Sequence, residues 1–187
     1  MKLWGKGLST EKRTKKLALC ALFVALHIVG GFVRIPAPLA PITLQLQIAL
    51  LAGILLGAKW GALSVLFYVA LGLMGLPVFA SGGGVSYVLQ ATFGYLIGFA
   101  LSAYITGKIA RGGVITYRRI AVALAVGVAV TYAVGLLYAA CILRLYLQQT
   151  MGIGEFLVAY LLLSLPKDVI LTALTLPISK QLLPHVV

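Results

Sequence analysis

The sequence has little charge, and negative charge is the scarcest. Only 10% of its 187 residues are charged, and three acids stand against fifteen lysines and arginines, which gives a formal net charge of +12. A soluble domain averages roughly 25% charged residues, whereas 62% of this chain is hydrophobic. In a soluble protein such a basic balance would suggest nucleic acid, but long apolar segments leave no surface for such a site. The composition therefore indicates a protein surrounded largely by lipid.

Residues that carry most catalytic and metal chemistry are also scarce. The two cysteines and two histidines show no metal-ligand spacing. The chain contains no Ser-His-Asp set, no paired carboxylates and no His-Glu-x-x-His motif. No glycine loop is followed by Gly-Lys-Ser/Thr, so ATP cannot be hydrolysed through a P-loop. These absences argue against an enzyme, and we expect no cofactor and no metal.

Apolar runs divided by proline and glycine predict an all-α membrane protein with six transmembrane helices. A bilayer core of about 30 Å takes about 20 apolar residues per helix. We assign residues 1–16 to a basic cytoplasmic N-terminal segment and residues 17–187 to a single transmembrane domain. The spans are predicted at residues 17–33, 43–56, 62–76, 87–105, 120–146 and 156–176, of which the second and third are short and the last can continue to 182.

The distribution of basic residues predicts the orientation. Lysine and arginine concentrate on the cytoplasmic side of membrane proteins. With the N-terminus inside, and therefore the C-terminus inside as well, twelve of the fifteen fall on that side. These are Lys2, Lys6, Lys12, Arg13, Lys15, Lys16, Lys59, Lys108, Arg111, Arg118, Arg119 and Lys180.

The charges outside this set indicate where a site would lie. Arg34 and Arg144 end the first and fifth spans on the outer side, and Lys167 and Asp168 lie about 13 residues from the outer end of the sixth. Asp168 is the only acid inside a span. An ionisable side chain there costs at least about 2.5–3.5 kcal/mol, so it usually faces the bundle interior and marks a site. The alternative is a structural ion pair with Lys167 or Arg144, and we favour the functional interpretation.

Polar and small residues define inward faces on two spans. Ser164, Asp168, Thr172, Thr175 and Ser179 recur at helical spacing and share one side of the sixth span. Tyr87, Gln90, Gly94 and Gly98 do so on the fourth. The loop of Gly82, Gly83 and Gly84 before it could offer backbone N–H groups to an anion at a helix N-terminus.

Alanines form a flat stripe on the first span, at Ala18, Ala21 and Ala25. Small residues four apart let helices approach closely in membranes. From the residues alone, docking of a partner helix and packing within the bundle are equally good explanations.

Several segments resemble the BioY family, the substrate-binding subunits of energy-coupling factor (ECF) biotin transporters. They are Gly75-Leu76-Pro77-Val78-Phe79-Ala80, the glycine loop after it, and Thr92-Phe93-Gly94-Tyr95-Leu96-Ile97-Gly98-Phe99. The residues from Pro41 to Gln45 and the Pro166-Lys167-Asp168 stretch also match. The resemblance covers nearly the whole chain.

The resemblance implies a six-helix substrate-binding subunit in a prokaryotic plasma membrane, with a high-affinity biotin pocket that opens outward. It further implies assembly with a transmembrane coupling subunit and two ATPases, and contact of the coupling subunit with Ala21 and Ala25. Two departures concern the ligand. The stretch from Gln90 to Tyr95 replaces a common Gly-Pro-Thr-Gly-Gly-Tyr, and Leu171 stands where members often carry a lysine.

Biotin has a ureido ring, an apolar body and a carboxylate, and the resemblance suggests residues for each. Asp168 would accept the ureido N–H groups, with ring contacts from Gln90, Thr92 or Ser81. The apolar body suits Tyr87, Phe79 and Tyr95. The carboxylate would meet Arg34, Lys167, Arg144 or the amides of Gly82 and Gly83.

Three alternatives stay open. One is a related vitamin such as lipoate, which also carries a carboxylate on an apolar tail beside a ring. Another is a self-sufficient secondary carrier in which Asp168 relays protons. The last is a purely structural subunit.

Overall fold

Helices make up almost all of the structure, a computed structural model that describes residues 10–35, 42–148 and 152–186. The α-helices are α1 (Thr10–Phe32), α2 (Gln45–Leu56), α3 (Ala58–Leu73), α4 (Phe93–Arg111), α5 (Tyr117–Cys141), α6 (Ile153–Leu157) and α7 (Leu165–Val186). A 3₁₀ turn covers Val85–Leu89, and π-helical turns follow α5 and α6 at Ile142–Tyr146 and Val158–Leu162. Within the described ranges the one strand pairing is short, with β1 (Arg34–Ile35) antiparallel to β2 (Ile42–Thr43).

Four helical stretches of the described chain are long and apolar enough to cross a membrane. They are Arg13–Phe32, Phe93–Arg111, Tyr117–Tyr146 and Ile153–Pro184. Helices α2 and α3 have 12 and 16 residues, so at 1.5 Å per residue they measure only about 18 and 24 Å. The all-helical prediction is confirmed, whereas the count of six spans stays a prediction.

Helix α2 lies at the centre of the bundle. Ala49, Leu50, Ala52 and Ile54 are fully buried, and the helix contacts α1, α3, α4, α5 and α7. A helix that is apolar on all sides belongs inside other helices. Its burial fixes the position of the two glutamines in its first turn, Gln45 and Gln47.

Glycine allows the central helix to pack tightly against its neighbours. A Cβ at Gly53 would overlap the backbone of Ala103 in α4, and one at Gly61 in α3 would lie 2.7 Å from the Gly53 Cα. Helices in lipid gain no hydrophobic driving force when they associate. Small residues at such crossings allow the close van der Waals packing that holds the helices together instead. Arg111 adds a polar contact to this crossing: its Nε donates to the Ile54 carbonyl at 2.9 Å, and a terminal N–H₂ donates to the Leu55 carbonyl.

Several helix boundaries differ from the sequence prediction, and the differences around α3 and α4 matter most for the site. The third helix begins at Ala58, because Gly57 alone makes the turn with φ of +84°. Gly57 is therefore the whole connection, where five residues were predicted. The fourth begins at Phe93, so Tyr87 and Gln90 precede it and do not share its face. At its other end α4 extends to Arg111, which shortens the predicted polar connection.

The sixth predicted span is interrupted. It consists of α6, a π-helical turn, a turn at Leu163 and Ser164, and then α7. Pro166 lacks an amide hydrogen and fits best in the first turn of a helix, where that hydrogen would have no partner within the helix. Asp168 consequently lies in the first turn of α7, where its N–H donates to the Ser164 carbonyl at 3.1 Å.

The predicted division into a basic segment and a transmembrane domain stays a prediction. Residues 1–9 of the predicted basic segment and the prolines at 36, 38 and 41 lie outside the described residues. Residues 10–16 are helical and belong to α1.

Candidate functional site

A cavity that combines aromatic and polar side chains lies at one end of the bundle, between the start of α2, the 3₁₀ turn, α4, α5 and the start of α7. It measures about 620 Å³ including its open mouth. Five of the residues predicted for a site line it, namely Tyr87, Thr92, Tyr95, Lys167 and Asp168. Their binding roles stay predictions, but the fold does bring them together.

The carboxylate of Asp168 accepts from three donors at the cavity. Asp168 is 4% exposed. Its Oδ1 accepts from the Lys167 ammonium at 2.7 Å and from Gln47 Nε2 at 3.2 Å. Its Oδ2 accepts from the Tyr132 hydroxyl at 2.6 Å. A buried carboxylate needs this set of donors, because leaving one unpaired in a low-dielectric interior is costly.

Gln47 explains the polar stripe of the last helix. Its Oε1 accepts from the hydroxyls of Thr172 and Thr175, both at 3.3 Å, while its Nε2 donates to the backbone carbonyl of Asp168 at 3.3 Å. These bonds fix the amide so that it can also donate to the Asp168 carboxylate. The part of the stripe from Asp168 to Thr175 therefore holds α7 against α2.

Lys167 reaches back to the residue next to it. Adjacent residues on a helix point about 100° apart, yet the Lys167 ammonium contacts Asp168 and donates to the Thr43 carbonyl at 2.5 Å. It is the one cation among the residues that line the cavity. Of the two ion-pair partners considered for Asp168, the structure shows Lys167, whereas Arg144 is exposed and makes no ion pair within the described chain.

Aromatic side chains make up much of the wall. Tyr95 packs edge-on against Tyr132 with ring centroids 5.9 Å apart, and its hydroxyl donates to the Tyr160 carbonyl at 2.5 Å. Tyr87 lines the cavity in front of Phe79, whose ring lies 4.5 Å away and which is only 1% exposed. Phe79 thus supports the wall without facing the cavity.

Gln45 ties the cavity to three other segments. Its Nε2 donates to the His27 carbonyl of α1 at 3.2 Å and to the Tyr68 hydroxyl of α3 at 2.5 Å. Tyr68 in turn donates to the Val78 carbonyl at 3.2 Å. One chain of hydrogen bonds therefore connects Gln45 at the cavity to helix α1, to helix α3 and to the loop before α4.

Thr131 has an unused hydrogen-bonding group at the cavity. It is 1% exposed and lines the cavity, and its hydroxyl has no hydrogen-bond partner among the described residues. Buried polar groups are nearly always paired, so an exception calls for an explanation. A bound molecule with a polar group would supply the missing partner.

Several residues of the predicted site lie away from the cavity. Ser81, Gln90, Arg34 and Arg144 are exposed and do not line it. Gln90 is displaced because the helix on which it was placed begins three residues later, at Phe93.

The glycine loop forms hydrogen bonds with neighbouring backbone carbonyls of the protein. The Gly82 N–H donates to the Phe79 carbonyl at 3.2 Å, and the Gly84 N–H donates to the Gly72 carbonyl at 2.7 Å. A Cβ at Gly83 would overlap the Leu76 carbonyl. The glycines permit this tight turn, and it already uses the amide of Gly82, one of the two predicted to meet the ligand carboxylate, together with that of Gly84. Gly94 and Gly98, in turn, accommodate Tyr138 and the Thr131 backbone and not a ligand.

The alanine stripe faces outward. Ala18, Ala21 and Ala25 are all exposed, whereas Phe23 and His27 carry the packing of α1. Packing within the bundle therefore does not explain the stripe.

The sequence did not predict the cavity-lining residues that come from α2 and α5. The lining residues it did not assign to the site are Thr43, Gln45, Leu46, Ala80, Leu96, Phe99, Thr131, Tyr132, Tyr160 and Ser164. The available signals were weak. Gln45 and Gln47 open an otherwise apolar span, and Thr131-Tyr132 interrupts a run of alanine and valine.

Comparison with known proteins identifies the family. A model of the BioY family matches residues 6–186. A probable biotin transporter BioY of Lysinibacillus sphaericus is 47% identical over 138 residues, which cover 73% of this chain and 70% of that protein. One from Pyrococcus horikoshii is 44% identical over 96 residues, which cover 51% of this chain and 59% of that one. A crystal structure of the S-component for biotin from an ECF-type ABC transporter matches with a TM-score of 0.81 and 28% identity over 94% of both chains. The resemblance seen in the sequence is thereby confirmed, and the chain belongs to the BioY family.

Proposed function

We propose that this chain is the high-affinity biotin-binding subunit of an ATP-dependent ECF-type vitamin uptake transporter. The observation that carries the proposal is the cavity around Asp168, a buried carboxylate beside an aromatic wall in a chain of the BioY family. Binding proteins for small molecules combine such an apolar wall with a few fixed polar groups. With no P-loop in this chain, ATP hydrolysis falls to partner subunits.

In this proposal the ureido ring enters next to Asp168. A carboxylate has about four acceptor positions, and three donors occupy three of them here. A ureido N–H group can take the remaining position or replace one donor. Tyr87 and Tyr95 cover the apolar body of the ligand, and Thr92 lies beside them.

Replacement of Asp168 tests this arrangement. Asp168→Asn keeps the shape of the side chain and removes the charge, so we expect biotin affinity to fall at least about tenfold, the value of one charge-assisted hydrogen bond. Isothermal titration calorimetry on the purified chain measures it. Glu155→Gln is the matched control, because Glu155 is an exposed acid outside the cavity. Unchanged affinity in both Asp168→Asn and Asp168→Ala would remove Asp168 from the site.

Thr131 favours biotin over lipoate. The ureido group offers a carbonyl oxygen to the unpaired Thr131 hydroxyl, whereas the dithiolane ring of lipoate has only weakly accepting sulfur atoms. We expect Thr131→Val to weaken biotin binding about tenfold and to leave lipoate binding unchanged, while Thr131→Ser keeps biotin binding. If the unmodified chain binds lipoate more tightly than biotin, lipoate and not biotin is the ligand.

The secondary-carrier alternative is tested separately. Proteoliposomes that contain only this chain should not accumulate biotin when a pH gradient is imposed. Accumulation that Asp168→Asn abolishes would establish the alternative, in which Asp168 relays protons.

We further propose six spans with both chain ends in the cytoplasm of a prokaryote. The single transmembrane domain would extend over residues 17–187. Met74 directly follows α3, Val114 lies just beyond the end of α4, and each is 81% exposed. In the proposed topology Met74 lies outside the cell and Val114 in the cytoplasm. In a cysteine-free background, Met74→Cys should react with an impermeant thiol reagent in intact cells and Val114→Cys only after permeabilisation. The reverse pattern would invert the topology.

Ala18, Ala21 and Ala25 are proposed as the docking face for a transmembrane coupling subunit. Their exposure on α1 and the small size of their side chains support this role. The coupling subunit would in turn bring two ATPases.

A further inference from the structure

An apolar groove runs along the outside of the bundle between α5 and α7, away from the cavity. Ala121, Ala125 and Val128 form one wall, and Val169, Ala173 and Leu176 form the other. Thr172 also borders it, but its hydroxyl donates to Gln47 inside the bundle. The surface that the groove presents to its surroundings is therefore almost entirely hydrocarbon.

Two cations lie at one end of this groove. Arg118 precedes Ala121 by three residues on α5, and Lys180 follows Leu176 by four on α7. At these spacings they continue the same two helix faces that form the groove walls. Because α5 and α7 are antiparallel neighbours, both cations fall at the same end.

This positive charge is not neutralised within the described chain. Arg118 is exposed and makes no ion pair or hydrogen bond there. Lys180 donates to the Ile115 carbonyl at 3.0 Å and lies 4.8 Å above the centre of the Tyr117 ring, and neither partner carries a charge. Asp168 is 12 residues from Lys180 on the same helix, about 18 Å away.

We propose that this groove binds an anionic phospholipid, with an acyl chain between α5 and α7 and the phosphate at Arg118 and Lys180. The argument is charge complementarity at the end of an apolar channel. An amphiphile with a hydrocarbon tail and an anionic head matches both parts, whereas a neutral lipid matches only the groove. Basic pockets at the ends of membrane helices favour anionic head groups.

The ammonium of Lys180 still has N–H donors for a phosphate in this arrangement. The ammonium has three N–H donors, of which the Ile115 carbonyl takes one. The contact with Tyr117 leaves the ammonium at the helix end, at the level where an apolar span gives way to polar residues. The phosphate would thus be held by Lys180, which the Ile115 carbonyl and Tyr117 position, and by the exposed Arg118.

Retention of defined lipids by the purified full-length chain tests the proposal. Native mass spectrometry would compare phosphatidylglycerol with phosphatidylcholine of the same chain length. We expect the unmodified protein to retain phosphatidylglycerol at least about fivefold better, and each of Arg118→Gln and Lys180→Gln to reduce that preference about fivefold. Ala173→Leu, which fills the groove, should reduce retention of both lipids.

Matched controls separate the site from general effects. Lys59→Gln removes an exposed cation elsewhere and should leave the preference unchanged. Biotin binding by each variant checks folding, because the groove and the cavity share no lining residue.

Three outcomes would overturn the proposal. Equal retention of the two lipids, or a preference that survives the double substitution, removes the anionic site. If glycerol phosphate displaces phosphatidylglycerol at equal concentration, Arg118 and Lys180 bind a soluble anion and the groove contributes nothing to the affinity. Retention of neither lipid by the unmodified protein shows that the groove does not hold a phospholipid.

Discussion

Lys167 and Asp168 form an ion pair although they are consecutive residues of one helix. The lysine stem is long enough to bend around the first turn of α7, and the ammonium meets the carboxylate at 2.7 Å. This places the positive charge of the cavity at its Asp168 end. If Asp168 accepts the ureido N–H groups as proposed, Lys167 would lie near the ureido ring of the ligand and not at its carboxylate.

A pair of ligands distinguishes these two positions. We expect Lys167→Gln to weaken binding of biotin and of its uncharged carboxamide by the same factor, about 10- to 100-fold, because the lysine acts by holding Asp168. Competition for radiolabelled biotin measures both affinities. A loss confined to biotin would instead assign Lys167 to the ligand carboxylate. Lys108→Gln, an exposed lysine on α4, serves as the control.

Residue chemistry made Asp168 predictable and Thr131 not. An acid inside an apolar span is conspicuous because of the cost of burying it. A threonine in a span is ordinary, and only the structure shows that its hydroxyl has no partner. The same holds for Tyr132, whose bond to Asp168 spans 36 residues of sequence.

At the scale of the helices, the crossing of α2 and α4 at Gly53 sets how closely the bundle packs. We expect Gly53→Ala to lower the free energy of unfolding by about 1–3 kcal/mol, since the added methyl group meets the rigid backbone of Ala103. Thermal unfolding in detergent, followed by circular dichroism, measures the change.

Gly154→Ala is the control for this substitution. It lies in the helix α6 with no atom within 4 Å of the added Cβ. Alanine has the higher helix propensity, so we expect no loss of stability. A similar effect of both substitutions would show that backbone flexibility, and not the crossing, explains the loss.

The sequence predicted the helices better than their ends. Apolar runs located every helix from α1 to α5, because burial in lipid or protein needs the same residues. The end of α4 was missed because Lys108 and Arg111 looked like loop residues, whereas Arg111 bonds to the last carbonyls of α2. The break before α7 was missed because the apolar run continues through the π-helical turn, although Pro166 lies in the first turn of α7.

At the scale of the whole molecule, the cavity and the alanine stripe lie on different parts of the surface. We expect Ala21→Trp and Ala25→Trp to abolish ATP-dependent biotin uptake in cells that supply the partner subunits. Biotin binding by the purified chain should stay unchanged, because neither alanine lines the cavity. Ala129→Trp, at an exposed alanine of α5, is the control. Loss of binding in the α1 variants would mean that the stripe serves the fold itself.

The donors around Asp168 also bear on which ions the cavity can accept. Lys167, Gln47 and Tyr132 compensate the carboxylate from within the protein. A metal cation would have to displace the Lys167 ammonium to reach it. Discrimination against common inorganic cations would then follow from contacts that the protein makes with itself.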